Sequence, residues 1–138
     1  MPDLFSRDAF EAFVRTLPAV TLVRQWGDAS VAKVGGKIFA MFGGGVGDDP
    51  AALSFKCSDL AFEMLPGLAG VRPAPYLARA KWVAVAEGAE LSDAELVAYI
   101  TEAHRIIAGK LTRRVRSELG LEPLTAARET LSGRHRPG

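Results

Sequence analysis

The stretch ASVAKV-GG-KIFAMF, from Ala29 to Phe42, constrains this chain more than any other part of it. Two runs of β-prone residues are separated by Gly35 and Gly36 alone. A two-residue connection needs positive φ at its central positions, which glycine reaches without a Cβ penalty, so the segment predicts a tight antiparallel hairpin. In that register Val34 stands opposite Lys37, and Lys33 opposite Ile38. Each face then holds mostly apolar residues and one lysine, which leaves open which face is the core.

Glycine beside lysine also raises the question of a phosphate cradle. A P-loop requires G-x-x-x-x-G-K-[ST] between a strand and a helix. Counting back from Gly36-Lys37, the first glycine falls on Val31, and the magnesium-binding hydroxyl falls on Ile38. The segment that follows is a strand. The second glycine set, GGGVGDDP from Gly43 to Pro50, fails G-x-G-x-x-G because Asp48 stands at the last glycine position. Its acids would repel a phosphate, and it reads as a hairpin connection. Neither set supports a nucleotide site.

The remaining elements follow from spacing. Ser6 is an N-cap and Asp8 lies in the first turn, with Phe10, Phe13, Val14 and Leu17 at helical steps up to Pro18. Thr21 to Trp26 predicts a short strand, and Gly27-Asp28 a turn. In Ala52 to Cys57, Leu53, Phe55 and Cys57 point one way and Ser54 and Lys56 the other, the alternation of a strand with one solvated face. Ser58 and Asp59 cap a short helix through Leu65, stopped by Pro66-Gly67. Gly70 to Ala80 is broken by prolines and predicts a loop, followed by a strand from Lys81 to Ala86. Ser92 and Glu95 form a capping box, and Leu96, Ile100, Ala103, Ile107, Leu111 and Val115 continue as one amphipathic helix of about six turns. Gly120 ends it, and residues 122–138 read as a basic, partly disordered tail. Residues 1–121 therefore form one domain of α+β class, an antiparallel sheet with the N-terminal and C-terminal helices on one face.

At 138 residues, 49% of them apolar, the chain can bury a core without staples. No apolar run approaches the roughly 20 residues of a membrane helix, and the first ten residues lack the pattern of a secretory signal. A cytoplasmic address, with no membrane partner and a monomeric state, is the expectation. The single cysteine, Cys57, excludes an internal disulfide and a multi-cysteine metal site. Net charge is +1, but residues 1–102 carry 9 Lys/Arg against 13 Asp/Glu, whereas residues 103–138 carry 8 against 3. The basic run Lys110 to Arg116 suits either a polyanion or a solvated helix end facing the negative pole of the helix dipole.

The residues that could carry chemistry are mostly basic. Lys33, Lys37, Lys56 and Lys81 sit on strands, with Arg72 and Arg79 in the adjoining loop, and only Lys110 is left among the lysines. Such residues give salt-sensitive contacts to phosphates. Trp26, Tyr76 and Trp82 offer stacking surfaces for bases or contacts to a small ligand. The same residues also read as the solubilising face and aromatic core of an ordinary sheet. His104 flanks the apolar stripe of its helix and has no partner at ligand spacing, and Cys57 reads as a small buried hydrophobe. No catalytic constellation, metal site or cofactor site is readable, so a noncatalytic protein is expected.

The set WGD (Trp26 to Asp28), KVGGKIFA (Lys33 to Ala40), SFKC (Ser54 to Cys57), GVRPAPYLARAKWV (Gly70 to Val83) and LSDAEL before a long helix resembles the MmcQ/YjbR family over about residues 5–116. These are small bacterial proteins, often labelled DNA-binding, with a fold similar to that of CyaY, the bacterial frataxin. The resemblance implies a CyaY-like sheet flanked by helices and a double-wing contact to DNA, in which hairpins approach the duplex. For the residues here it implies a nucleic-acid surface of Lys33, Lys37, Lys56, Arg72, Arg79 and Lys81, which requires Lys33, Lys37, Lys56, Arg79 and Lys81 to converge on one face. The alternative is a small-ligand or protein-binding module built on Arg72 to Trp82. The frataxin comparison also raises iron. The first helix offers Asp3, Asp8 and Glu11 offset by Arg7 and Arg15, too balanced a surface for a hard metal.

Overall fold

The computed structural model describes residues 4–25, 29–43, 53–74 and 77–121. The elements in chain order are α1 (Arg7–Val14), β1 (Val20–Gln25), β2 (Ala29–Val34), β3 (Lys37–Phe42), β4 (Leu53–Lys56), α2 (Asp59–Met64), β5 (Val71–Pro73), β6 (Trp82–Val85), α3 (Asp93–Gly109) and α4 (Arg113–Glu118). One-turn 3-10 helices cover Leu65–Gly67 and Ala78–Ala80. The strands form one sheet in the order β1-β2-β3-β4-β6-β5, and every pairing is antiparallel. The fold is α+β.

Local chemistry sets the helix starts. The Ser6 hydroxyl accepts the Ala9 N–H at 3.2 Å. Ser92 accepts from Glu95 N–H while the Glu95 carboxylate accepts from Ser92 N–H, so the capping box satisfies two otherwise orphaned donors of α3. The hairpin register is the one the two glycines demand: Val34 pairs with Lys37 and Lys33 with Ile38, and both Gly35 and Gly36 have positive φ. The core face is settled by the helices. Val34, Phe39, Ala40, Leu53, Phe55, Val83 and Val85 are buried with Phe10 and Val14 of α1 and Leu96, Ile100 and Ala103 of α3. Each of these valine, leucine, isoleucine and phenylalanine side chains contributes about 1.5–3 kcal/mol on full burial.

Three elements depart from the sequence expectation. First, β4 was expected to have a solvated face. Instead a second apolar cluster of Met41, Ala74, Trp82 and Ala84, with Ile38 and Leu77 against it, covers that side, and Lys56 is only 8% exposed. The cause is the segment after β5, which brings Ala74 and Leu77 back over the sheet. Second, the expected loop from Gly70 to Ala80 contains strand β5 and a 3-10 turn. The strand tolerates Pro73 because it is an edge strand, where the missing N–H need not serve a second neighbour. Third, the C-terminal helix does not run unbroken to Val115. Gly109 weakens it, Leu111 turns inward, and the Thr112 hydroxyl accepts the Val115 N–H at 3.2 Å to start α4 afresh. The turn expected at Gly27-Asp28, the connection from Gly44 to Pro50 and the tail 122–138 lie outside the described residues.

Candidate nucleic-acid interface

Sheet register determines where each candidate residue lies. The β2–β3 tip places Lys33 and Lys37 at one end of the sheet, on opposite faces: Lys37 shares the helix-covered face with Val34, and Lys33 shares the other with Ile38. Phe55 stands opposite Ala40, so β4 terminates at this same end with Lys56. Lys56 pairs with Trp82, which places Lys81 and the turn containing Arg79 there too. Helix α3 also terminates here. A Cβ on Gly35 would lie 2.6 Å from Leu111 Cδ1, which brings Lys110, the residue that ends α3, close to the hairpin tip. From β3 to β6 is two strand spacings, about 10 Å.

The basic side chains therefore gather on the end of the sheet and not on a face. Lys37, Arg79, Lys110 and Arg113 are exposed, and Lys33 and Lys81 are half-buried. Acids stand at the opposite end, where β6 leads to Glu87 and Glu90 and α3 starts with Asp93 and Glu95, together with Arg7 and Arg24 beside Phe42 and Ser30. Asp59, in the first turn of α2, is an acid within the field of the lysine end. Arg72 is exposed but sits mid-strand on the edge strand β5, opposite Ala84 and away from the other candidates.

Two of the lysines are engaged in the fold. The Lys56 ammonium donates to the Ala80 carbonyl at 2.5 Å. Burial, and next the neighbouring charge of Lys110, push its pKa below the usual lysine value. This contact ties the end of β4 to the 3-10 turn that carries Arg79. Lys81 has left-handed backbone, φ 65°, and its carbonyl accepts the Cys57 N–H at 2.8 Å. Its ammonium lies 5.2 Å from the centre of the Phe62 ring, a cation–π contact. A non-glycine residue in that conformation is costly, and it is held by the pairing on both sides.

The aromatic candidates separate. Trp82 is 6% exposed and packs in the second cluster with Met41 and Ala84. Trp26 and Tyr76 lie outside the described residues. Cys57 is buried, and burial pushes its thiol up to about 12, so it stays protonated at neutral pH and is no nucleophile. His104 is buried too. Its Nε2 lies 2.8 Å from the Pro18 carbonyl and its ring meets Phe39 edge-on at 5.2 Å, which makes it a strut between α3 and the segment before β1. Glu102 and Arg105 pair with each other beside it. Among the described residues no group of three His, Cys, Asp or Glu side chains could hold a metal ion, and no helix is long and apolar enough to cross a membrane.

The expectation that Lys33, Lys37, Lys56, Arg79 and Lys81 share one face is not met: they gather at one end, with Lys33 and Lys37 on opposite faces and Lys56 turned inward, and the sequence reading did not attach Lys110 to them. The signal was present in the basic run Lys110 to Arg116, yet nothing in the spacing shows that α3 stops beside the hairpin tip. A family model named YjbR matches residues 15–106 of the chain. No curated protein matches it.

Proposed function

The chain belongs to the YjbR family, and from that premise we propose that it is a noncatalytic, cytoplasmic DNA-binding protein whose basic sheet end meets the phosphate backbone. The observation that carries this reading is the convergence of the β2–β3 tip, the end of β4, the turn before β6 and the end of α3 on one site. Lys37, Arg79 and Lys110 are the exposed contacts, and Lys33 and Lys81 support them from the rim. Lys56 has a different role, holding the Arg79 turn to β4 through the Ala80 carbonyl. Because Lys33 and Lys37 point to opposite faces, the hairpin tip presents one cation on each side, an arrangement that suits a wing laid along a groove. Contacts of this kind go to phosphates, so binding is largely indifferent to sequence and steeply salt-dependent. The three exposed contacts imply a log–log salt slope of about −2.7, which is about a fortyfold loss of affinity between 50 and 200 mM salt. Fluorescence anisotropy with a labelled duplex tests the reading. Charge reversal at Lys37 and Arg79 together is expected to abolish binding, and a wild-type protein that fails to retain DNA at low salt would end it.

A further inference from the structure

The sheet has two edges, and they differ. Strand β5 is three residues long and holds Pro73, two features that blunt an edge against further pairing. Strand β1 is six residues long, holds no proline or lysine, and pairs with β2 at every position without a bulge. Its one charge, Arg24, lies near Glu11 of α1, Nη2 to Oε2 3.5 Å. Helix α1 does not close this edge, because it is anchored one strand further in. The hydroxyl of Ser30, a fully buried residue of β2, donates to Glu11 Oε2 at 2.5 Å and accepts from Arg7 Nη1 at 2.6 Å. The bond from Ser30 first, and then the charges of Arg24, Arg15 and Arg7, outweigh the opposing effect of desolvation and hold the Glu11 carboxyl below the ordinary carboxylate range. Between α1 and β1 a cavity of about 230 Å³ is left, lined by Glu11, Arg15, Leu22, Val23 and Arg24.

The hairpin fixes which backbone groups of β1 face outward. Gly35 and Gly36 both have positive φ, as a two-residue type I′ turn requires, so Val34 and Lys37 exchange hydrogen bonds across it. Residues along a strand turn their N–H and C=O to alternate sides. Val34 and Ala32 therefore turn to β3, and Lys33 and Val31 turn to β1. Their partners Thr21 and Val23 turn inward to β2, which leaves Val20 and Leu22 turned outward. Among the described residues no hydrogen bond reaches Val20 or Leu22 from the outer side. Both side chains pack half-buried against the core on the helix-covered face, whereas Thr21 is exposed on the other face beside Lys33.

We propose that β1 pairs edge to edge with β1 of a second copy of this chain, antiparallel about a two-fold axis at Thr21. Val20 then exchanges backbone hydrogen bonds with the second copy's Leu22, and Leu22 with its Val20. Only an extended backbone offers donors and acceptors at this spacing, and this chain's own edge is complementary to itself. Val20 and Leu22 meet on the face that both copies cover with helices. Thr21 meets Thr21 on the other face, a favourable cross-strand pair. The left-handed Ala19, φ 59°, bounds the pairing at each end, and Arg24 falls opposite Pro18, so no like charges oppose. The paired run is small for an interface, since stable complexes bury about 1,200–2,000 Å², and a weak dimer with a Kd of about 100 µM is expected. This dimer replaces the monomeric expectation and does not depend on DNA binding.

The test is sedimentation equilibrium of the full chain across protein concentrations that span this value. The wild type is expected to shift from monomer to dimer. Thr21→Lys sets two lysines across the axis, each beside a Lys33, and is expected to weaken the dimer at least about tenfold. Thr21→Cys is expected to give a disulfide-linked dimer under copper–phenanthroline, because Thr21 faces its copy in a pair whose side chains lie close. Ser117→Cys, exposed on α4, is expected to stay uncrosslinked, and so is the wild type, whose Cys57 is buried. A wild type that stays monomeric throughout leaves the edge to solvent or to another polypeptide and overturns the proposal. Dimerisation unaltered in Thr21→Lys overturns it too, as does crosslinking of Thr21→Cys no faster than of Ser117→Cys.

Discussion

Replacing Gly35 with alanine tests how the hairpin tip is joined to the end of α3. Gly35 has φ +59°, and a Cβ there would lie 2.6 and 2.7 Å from the two δ-carbons of Leu111, which is itself 6% exposed. Two penalties combine. The left-handed backbone costs a residue with a Cβ about 1–2 kcal/mol. Overpacking against a buried leucine adds about 1–3 kcal/mol. Gly36 separates the two, because it has φ +81° and nothing within 4 Å of a Cβ, so Gly36→Ala carries the backbone penalty alone. Urea denaturation at neutral pH is expected to show Gly35→Ala less stable than Gly36→Ala by about 1–3 kcal/mol. Leu111→Ala opens the space, so the double variant Gly35→Ala/Leu111→Ala should be more stable than the sum of the two single losses, by a similar amount. Equal losses at Gly35 and Gly36, together with additivity in the double variant, would refute the claim that Leu111 seats on the turn. The consequence reaches the proposed interface, since this contact sets Lys37 relative to Lys110.

Other outcomes follow from the buried polar groups. His104 is neutral when folded, because burial lowers its pKa below 6.5. As pH falls below that value the unfolded chain takes up a proton that the folded chain refuses, so stability declines until the folded pKa is passed. Denaturation midpoints at pH 7.5 and 5.5 should differ more for the wild type than for His104→Phe, which retains the ring packing on Phe39. Ser30→Ala removes the donor to Glu11, costs about 1.5–3 kcal/mol as a charged hydrogen bond, and should raise the Glu11 pKa in a carboxyl NMR titration. Lys56→Met keeps the buried stem and removes the tie to the Arg79 turn but no phosphate contact, so the salt slope measured by anisotropy should stay unchanged even where affinity falls, whereas Lys37→Gln should reduce its magnitude by about 0.9.

The hairpin, the capped starts of α1, α2 and α3 and the alternation of β4 were legible because each is encoded within a few residues. Two glycines between β-prone runs leave one low-strain register, and Ser92 with Glu95 marks a helix start whatever the rest of the chain does. The helix face of the sheet was legible only in part. The hairpin pattern is apolar on both sides, and its core side was decided by where α1 and α3 pack. The covered second face was not readable at all, because Ala74 and Leu77 reach Met41 and Trp82 only after the chain doubles back through β5. The break between α3 and α4 has local marks in Gly109 and Thr112, but the apolar spacing of Leu111 and Val115 runs through it and masks them.

The same division holds for the candidate sites. Composition and spacing picked out the strand lysines and Arg79, since four lysines on strands and few elsewhere is a local pattern. That they meet at an end and not on a face, that Lys56 turns inward to the Ala80 carbonyl, and that Lys110 joins them are consequences of antiparallel register and of where a helix stops. The pairing of Glu11 with Ser30 and Arg24 joins α1 to two strands, and no periodicity encodes it. Sequence alone determined most of the elements, though not β5 or the division of α3 from α4, and the chemistry each carries, because backbone preference and side-chain period act over a few residues. Tertiary structure decided which charges share a surface, because that depends on strand order and packing between segments distant along the chain.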